Sequence, residues 1–193
     1  MEGDTEYKAI PEMLDRLHIR HTEPSNTHGL PADAPVAALV KWHLLPHVRT
    51  QLAKGPDKVI VLLDRETRDA DPESFRQSVR KEIRSHVQRL DGRDAAAKVE
   101  VAVCNSTFEN WIISDPKGLM KCAYVESDLT NQVRCHADER DALKLLKSAM
   151  RKGKAYNKAR HGPALADHIR VQDPAVKQCS QSLRRFIELA RAI

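Results

Sequence analysis

The sequence predicts an α/β fold, with a mainly parallel central sheet and helices on both faces. Three observations carry this. Residues 58–63 form a short, almost wholly apolar run, Val59-Ile60-Val61-Leu62-Leu63, of the kind buried on both faces in a parallel sheet. Val99, Val101 and Val103 alternate through a second candidate strand at 99–104. A helical pattern lies between the two strands and another follows. That order requires a crossover and favours parallel pairing.

The elements follow in order. Residues 4–18 read as a helix, because Ile10, Met13, Leu14 and Leu17 recur at helical spacing and Asp4 or Thr5 can cap it. Residues 20–33 carry His21, Pro24, Asn26, Gly29 and Pro31 and read as a loop. A second helical pattern covers 34–53, with a kink expected at Pro46, and Gly55-Pro56-Asp57 is a turn. After the first strand, Asp71-Pro72-Glu73 opens a helix with proline in its tolerated first turn, and Asp91-Gly92 closes it. After the second strand, Thr107 caps a helix bearing Phe108, Trp111, Ile112 and Ile113. Residues 115–137 show no clear period. Helical patterns return at 138–150, 163–169 and 180–192, with a basic connector at 152–160.

At 193 residues the chain fits one domain over 1–193, with an acidic site region at 1–115 and a basic helical part at 138–193. Its apolar runs fall short of a membrane span, and the acidic N-terminus does not read as a signal peptide. The four cysteines are scattered without a CxxC pair, as in a reduced cytoplasmic protein with free thiols. Formal net charge is +5 but uneven: residues 1–33 carry −4 and residues 144–193 carry +9. That asymmetry suits cations held at one place and a polyanion beside it, or simply a solvated basic helical face. No GxxxxGK[ST] loop and no GxSxG elbow is present, which excludes P-loop ATP hydrolysis and the usual serine-hydrolase turn. His43 and His47 lack the glutamate of a zinc-protease motif, and Pro46 stands between them, so a structural role is expected.

Three acidic clusters are the chemical signal. The first is Glu2-Gly3-Asp4-Thr5-Glu6. The second is Asp64-Arg65-Glu66, at the end of the first strand. The third is Glu109, within Phe108-Glu109-Asn110-Trp111. Carboxylates at the carboxyl ends of parallel strands converge where open α/β sheets bind ligands, and hard divalent cations take such oxygen ligands. Asp64 and Glu66 point to one side of an extended backbone and repel unless a cation or proton intervenes. Each cluster also has a plain reading: Asp64 as a cap with Glu66 solvated, and Glu109 as a first-turn acid favoured by the helix dipole. Tyr156-Asn157-Lys158-Ala159-Arg160-His161 is either a phosphate-binding segment or an exposed linker.

The order Glu-Gly-Asp-Thr-Glu, helix, apolar strand ending Asp-x-Glu, then Phe-Glu-x-Trp resembles the TOPRIM fold. It looks most like the small stand-alone TOPRIM-like families related to RloB and to the nuclease half of OLD-type proteins. Tyr156-Asn157-Lys158, Leu165-Ala166 and Ser182-Leu183-Arg184-Arg185-Phe186 also look like the C-terminal part of such families. The resemblance covers about residues 2–190 and implies a Rossmannoid three-layer domain. It implies a nuclease that uses Mg2+ or Mn2+ to cut DNA or RNA. Asp64, Glu66 and Glu109 would hold metal, Glu2 would be a ligand or general acid–base group, and Lys158 would contact phosphate. It further implies an ABC- or SMC-like ATPase partner in phage defence, and leaves room for a homo-oligomer. Two departures stand out: Glu66 replaces the commoner Asp, and only Met1 precedes Glu2. The first strand is therefore expected upstream of Met1, or else the fold begins without it and a sheet edge is exposed. Alternatives are a non-catalytic TOPRIM-like scaffold that binds an ATPase, and a plain nucleic-acid-binding module built on the basic C-terminal quarter.

Overall fold

A computed structural model describes residues 3–27, 29–31, 33–65 and 70–192. The chain is mixed α/β, and its described strands, β1 (Val59–Asp64) and β2 (Val99–Cys104), pair in parallel with Val59 opposite Val99 and Asp64 opposite Cys104. Twelve α-helical segments are described: α1 (Asp4–Arg16), α2 (Val36–Ala38), α3 (Leu45–Leu52), α4 (Pro72–Asp91), α5 (Arg93–Ala97), α6 (Phe108–Ile113), α7 (Pro116–Leu119), α8 (Thr130–Val133), α9 (Ala142–Ala149), α10 (Lys158–Ala166), α11 (Pro174–Cys179) and α12 (Gln181–Arg191).

The strands form because Val and Ile fit a pleated surface, and their alternate side chains separate two cores. Val59, Val61, Leu63, Val99, Val101 and Val103 face one layer, with Leu44, Val48, Phe75, Val79, Ile83 and Val87. Leu62, Ala102 and Cys104 face the other, with Ile10 and Met13 of α1, Phe108, Trp111 and Ile112 of α6, and Phe186 of α12. Helices thus cover both faces, as the apolar runs predict.

Several boundaries differ from the sequence reading, each for a local reason. Gly3, not Asp4 or Thr5, is the N-cap of α1, and it offers no side-chain cap. Thr5 lies inside the helix and donates its hydroxyl to the Lys158 carbonyl at 3.0 Å. The helical pattern over 34–53 is interrupted by a wider π-helical turn at Leu39–Leu44, immediately before α3. The break belongs to Pro46, which has no N–H to give and whose ring would press on the Trp42 carbonyl in an unbroken α-helix. The helix expected at 138–150 is confined to α9, where the Asp141 side chain accepts from Lys144 N–H. The one expected at 163–169 begins earlier, at Lys158, because Asn157 caps it by accepting from Arg160 N–H at 2.9 Å.

Among the described residues, no strand pairs with the outer edge of β1. The parallel ladder engages Val59 N–H with Lys98 O and Arg65 N–H with Cys104 O. Even spacing then turns the N–H and C=O groups of Ile60 and Leu62 away from β2. They border a cavity of about 720 Å³ walled by Ile10 and Leu14 of α1, Leu17 at its C-cap, and Leu44 and Val48. No helix among the described residues is long and apolar enough to cross a membrane.

Asp115 ties the layer behind α6 to the end of α10. It is 1% exposed and accepts from Gly118 N–H at 2.9 Å, from Arg170 N–H and Nε at 2.8 Å each, and from Arg170 Nη2 at 2.6 Å. Burial alone would raise its pKa, but Arg170 and the two amides outweigh it and hold the carboxyl below its ordinary range. A depressed folded-state pKa adds stability that is present above the unfolded value, about 3.9, and is lost as pH falls through the lower folded value. Asp115→Ala is expected to lower stability by about 3 kcal/mol at pH 7, read as an earlier urea midpoint. The gap between wild type and variant should narrow below about pH 4. A gap that stays constant to pH 2 would contradict this.

Candidate functional site

Four elements meet at the carboxyl end of β1. Helix α1 supplies Glu6, the last residue of β1 supplies Asp64, the first turn of α6 supplies Glu109, and the first residue of α10 supplies Lys158. The three carboxylates are 1%, 3% and 0% exposed. Each places an oxygen near the Lys158 ammonium, with Nζ 3.5 Å from Glu6 Oε1, 3.6 Å from Asp64 Oδ2 and 3.6 Å from Glu109 Oε2.

Local sequence explains each placement. Glu6 sits four residues before Ile10 and seven before Met13, so it lies on the buried stripe of α1. Gly3 leaves room for it, since a Cβ there would meet the Glu6 carboxylate. Asp64 has the same pleat parity as Ile60 and Leu62, which turns it toward the α1 and α6 layer. Glu109 is fixed by the start of α6, where Thr107 N–H donates to Asn110 Oδ1 at 3.1 Å and Asn110 Nδ2 donates to Ala137 O at 2.7 Å and Arg140 O at 2.9 Å. The Tyr156 hydroxyl donates to Glu109 Oε1 at 3.1 Å. Trp111, one turn along α6's buried face, donates its indole N–H to Ser182 Oγ at 2.7 Å and so ties α6 to α12.

Helices α1 and α10 run side by side in the same direction. Thr5 bonds the first residue of α10, and Arg16 at the other end donates to Ala166 O at 3.0 Å and Ile169 O at 2.9 Å. Gly162 permits this approach, because a Cβ there would run into the Thr5 side chain. The contact between these helices sets how far Lys158 stands from Glu6.

The field of the cluster shows in its neighbours. Burial acts to lower the Lys158 pKa, but Glu109, Glu6 and Asp64 reverse this and raise it. Burial and then the Glu109 charge push the Tyr156 hydroxyl up, so it stays protonated and can donate. Burial, then Asp64 and Glu6, pushes the Cys104 thiol well up. Both oxygens of Glu6 and Oε2 of Glu109 are buried without a hydrogen-bond partner. Buried acceptors left in this state are costly unless something else satisfies them.

Of the residues the sequence singles out, Asp64, Glu109 and Lys158 come together. Glu2 and Glu66 lie outside the described residues. Glu6 completes the set and was legible only as part of the first acidic cluster. Its signal was a charged residue in register with the apolar stripe of α1. Among the described residues no group of three or more His, Cys, Asp or Glu side chains stands ready to hold a metal ion. The point on which the three carboxylates converge is taken by the Lys158 ammonium.

Gly162→Ala is expected to push α10 away from α1 and cost about 1–3 kcal/mol of overpacking strain. Chemical denaturation would give the loss in stability. The accompanying spread of the Glu6–Lys158 pair would show as a lower Lys158 pKa in side-chain amine NMR, and an unchanged titration would refute the link between helix approach and site.

No curated protein and no solved structure matches the chain. Residues 1–189 match the family described as a domain of unknown function, DUF4276, and the chain belongs to that family.

Proposed function

We propose that the chain is a divalent-cation-dependent nuclease that cleaves phosphodiester bonds of DNA or RNA on a TOPRIM-like scaffold. The observation that supports this best is the convergence of buried Glu6, Asp64 and Glu109, from three separate elements, at the carboxyl end of a parallel strand. Their donor set consists of hard oxygens, and three of those oxygens have no hydrogen-bond partner, which suits Mg2+ or Mn2+. Glu6, Asp64 and Glu109 would hold the ion, with Glu2 and Glu66 as further proposed ligands and Glu2 alternatively a general acid–base group. A bound ion would supply Lewis-acid charge and lower the pKa of water.

The chain's own groups do the rest. Tyr156 orients Glu109 by its hydrogen bond and so limits which oxygen faces the ligand point. The burial of α1 and α6 around the carboxylates excludes bulk water and strengthens charge interactions there. Arg151, Lys152 and Lys154 are exposed on the stretch leading into α10 and Arg160 is exposed in its first turn, where they can neutralise phosphates of a bound strand. Lys158 would add a phosphate contact. A partner ATPase of the ABC or SMC type and a part in phage defence are proposed on the TOPRIM-like resemblance alone. A second reading, a non-catalytic scaffold for such a partner, draws on the presence of a protein cation already at the carboxylates.

The test is a nuclease assay on single- and double-stranded DNA and RNA with Mg2+ or Mn2+, using wild type, Asp64→Asn and Glu6→Gln. Cleavage is expected only with the ion, and each substitution should reduce it by about 100-fold or more. Cleavage that persists in both variants would sink the assignment. No cleavage by wild type, alone or with its ATPase, would favour the scaffold.

A further inference from the structure

We infer that Lys158 is a built-in counterion that competes with the divalent cation for Glu6, Asp64 and Glu109, so that loading the site requires its ammonium to swing out to solvent. The inference concerns regulation of the site and rests on the cation-dependent reading above.

The geometry points to a placeholder rather than a tight structural ion pair. A settled ammonium–carboxylate bond brings N and O to about 2.7–2.9 Å. Lys158 instead stands at 3.5–3.6 Å from all three carboxylates at once. An ammonium has three protons to donate, yet both Glu6 oxygens and Glu109 Oε2 remain without a hydrogen bond. Glu6, 1% exposed, thus aims an unsatisfied carboxylate at the point where the charge sits.

The ammonium and a divalent ion cannot share that point. Two cations a few ångströms apart in a water-poor setting repel strongly, and a dication gains more from three carboxylates than a single ammonium does. Lys158 is also placed to leave. It is the first residue of α10, and 43% of its side chain is exposed, whereas its partners are almost wholly enclosed. Its aliphatic stem can pivot outward without opening the core. Once out, the charge stands on the solvent side with the basic stretch before α10. Metal loading and capture of a phosphate by Lys158 then become successive consequences of one movement.

Two measurements test this. The first is Mn2+ affinity by calorimetry for wild type and Lys158→Met. Removing the competitor is expected to tighten Mn2+ binding by at least about tenfold, which is about 1.4 kcal/mol. The second uses wild type alone: acylation of Lys158 by an amine reagent, read by peptide mass spectrometry with and without Mn2+. Lys158 labelling is expected to rise several-fold with Mn2+ while labelling of other lysines stays level. If Lys158→Met does not fold without metal, the labelling experiment decides by itself. Mn2+ binding of equal strength in both proteins, with unchanged Lys158 labelling, overturns the counterion role and leaves the cation site standing. Failure of both proteins to bind Mn2+ overturns the cation site and the counterion role with it.

Discussion

Three carboxylates removed from water must face a cation, and much of this structure is arranged around that requirement. Transferring even one ionised carboxylate from water to a protein interior is costly unless it is paired. Here α1, β1 and α6 each deliver one to the same place, and the ammonium that meets them comes from a residue more than ninety positions beyond β1 in the sequence. The N-terminal helix and the C-terminal helical part are thereby joined by charge as well as by packing. Deletion of the C-terminal part would strand the buried carboxylates of Glu6, Asp64 and Glu109.

The scaffold fixes this meeting point by constraints that do not touch it. Gly162 brings α10 against Thr5, and Arg16 holds the far ends of the same two helices together, so the α1–α10 pair has little freedom to slide. Asp138 receives the Asn105 side chain at 3.3 Å, Ser180 Oγ at 2.7 Å and Ser182 N–H at 3.0 Å, which binds the segment after β2 to the start of α12. Ser182 passes the connection on to Trp111 and hence to the helix that carries Glu109. A hydrogen-bonded polar network sits behind an acidic cluster in which both Glu6 oxygens and Glu109 Oε2 have no hydrogen-bond partner. Rigidity and unmet demand are thus placed side by side, as in sites built to receive a ligand.

The parts legible in the sequence were those governed by short-range rules. Both strands, the long helix α4 with its Asp71 cap, and the Thr107 start of α6 follow from apolar periodicity and capping chemistry. Asp64 was visible because it ends an apolar run. Glu109 and Lys158 were visible as residue types but not as neighbours, because their proximity depends on the packing of α6 and α10 across 48 intervening positions. Glu6 was overlooked because acidic residues in a first turn usually serve the helix dipole and remain in water. Only its register with Ile10 and Met13 marks it as buried. The region 115–137 resisted reading because its short helices are held by tertiary bonds such as Asn110 to Ala137 and not by any period of their own.

The outer edge of β1 has a consequence for the motions of the backbone. Within one strand, Val59 donates its amide to β2, and ladder spacing assigns the same to Val61 and Leu63, whereas the amides of Ile60 and Leu62 look into the cavity. Solvent deuterium should therefore enter β1 in a residue-by-residue alternation, fast at Ile60 and Leu62 and slow at their neighbours, although the side chains of Val61, Leu62 and Leu63 are all buried. The end of this strand carries Asp64, so the charged centre is anchored to a backbone held firmly on one side and only loosely on the other.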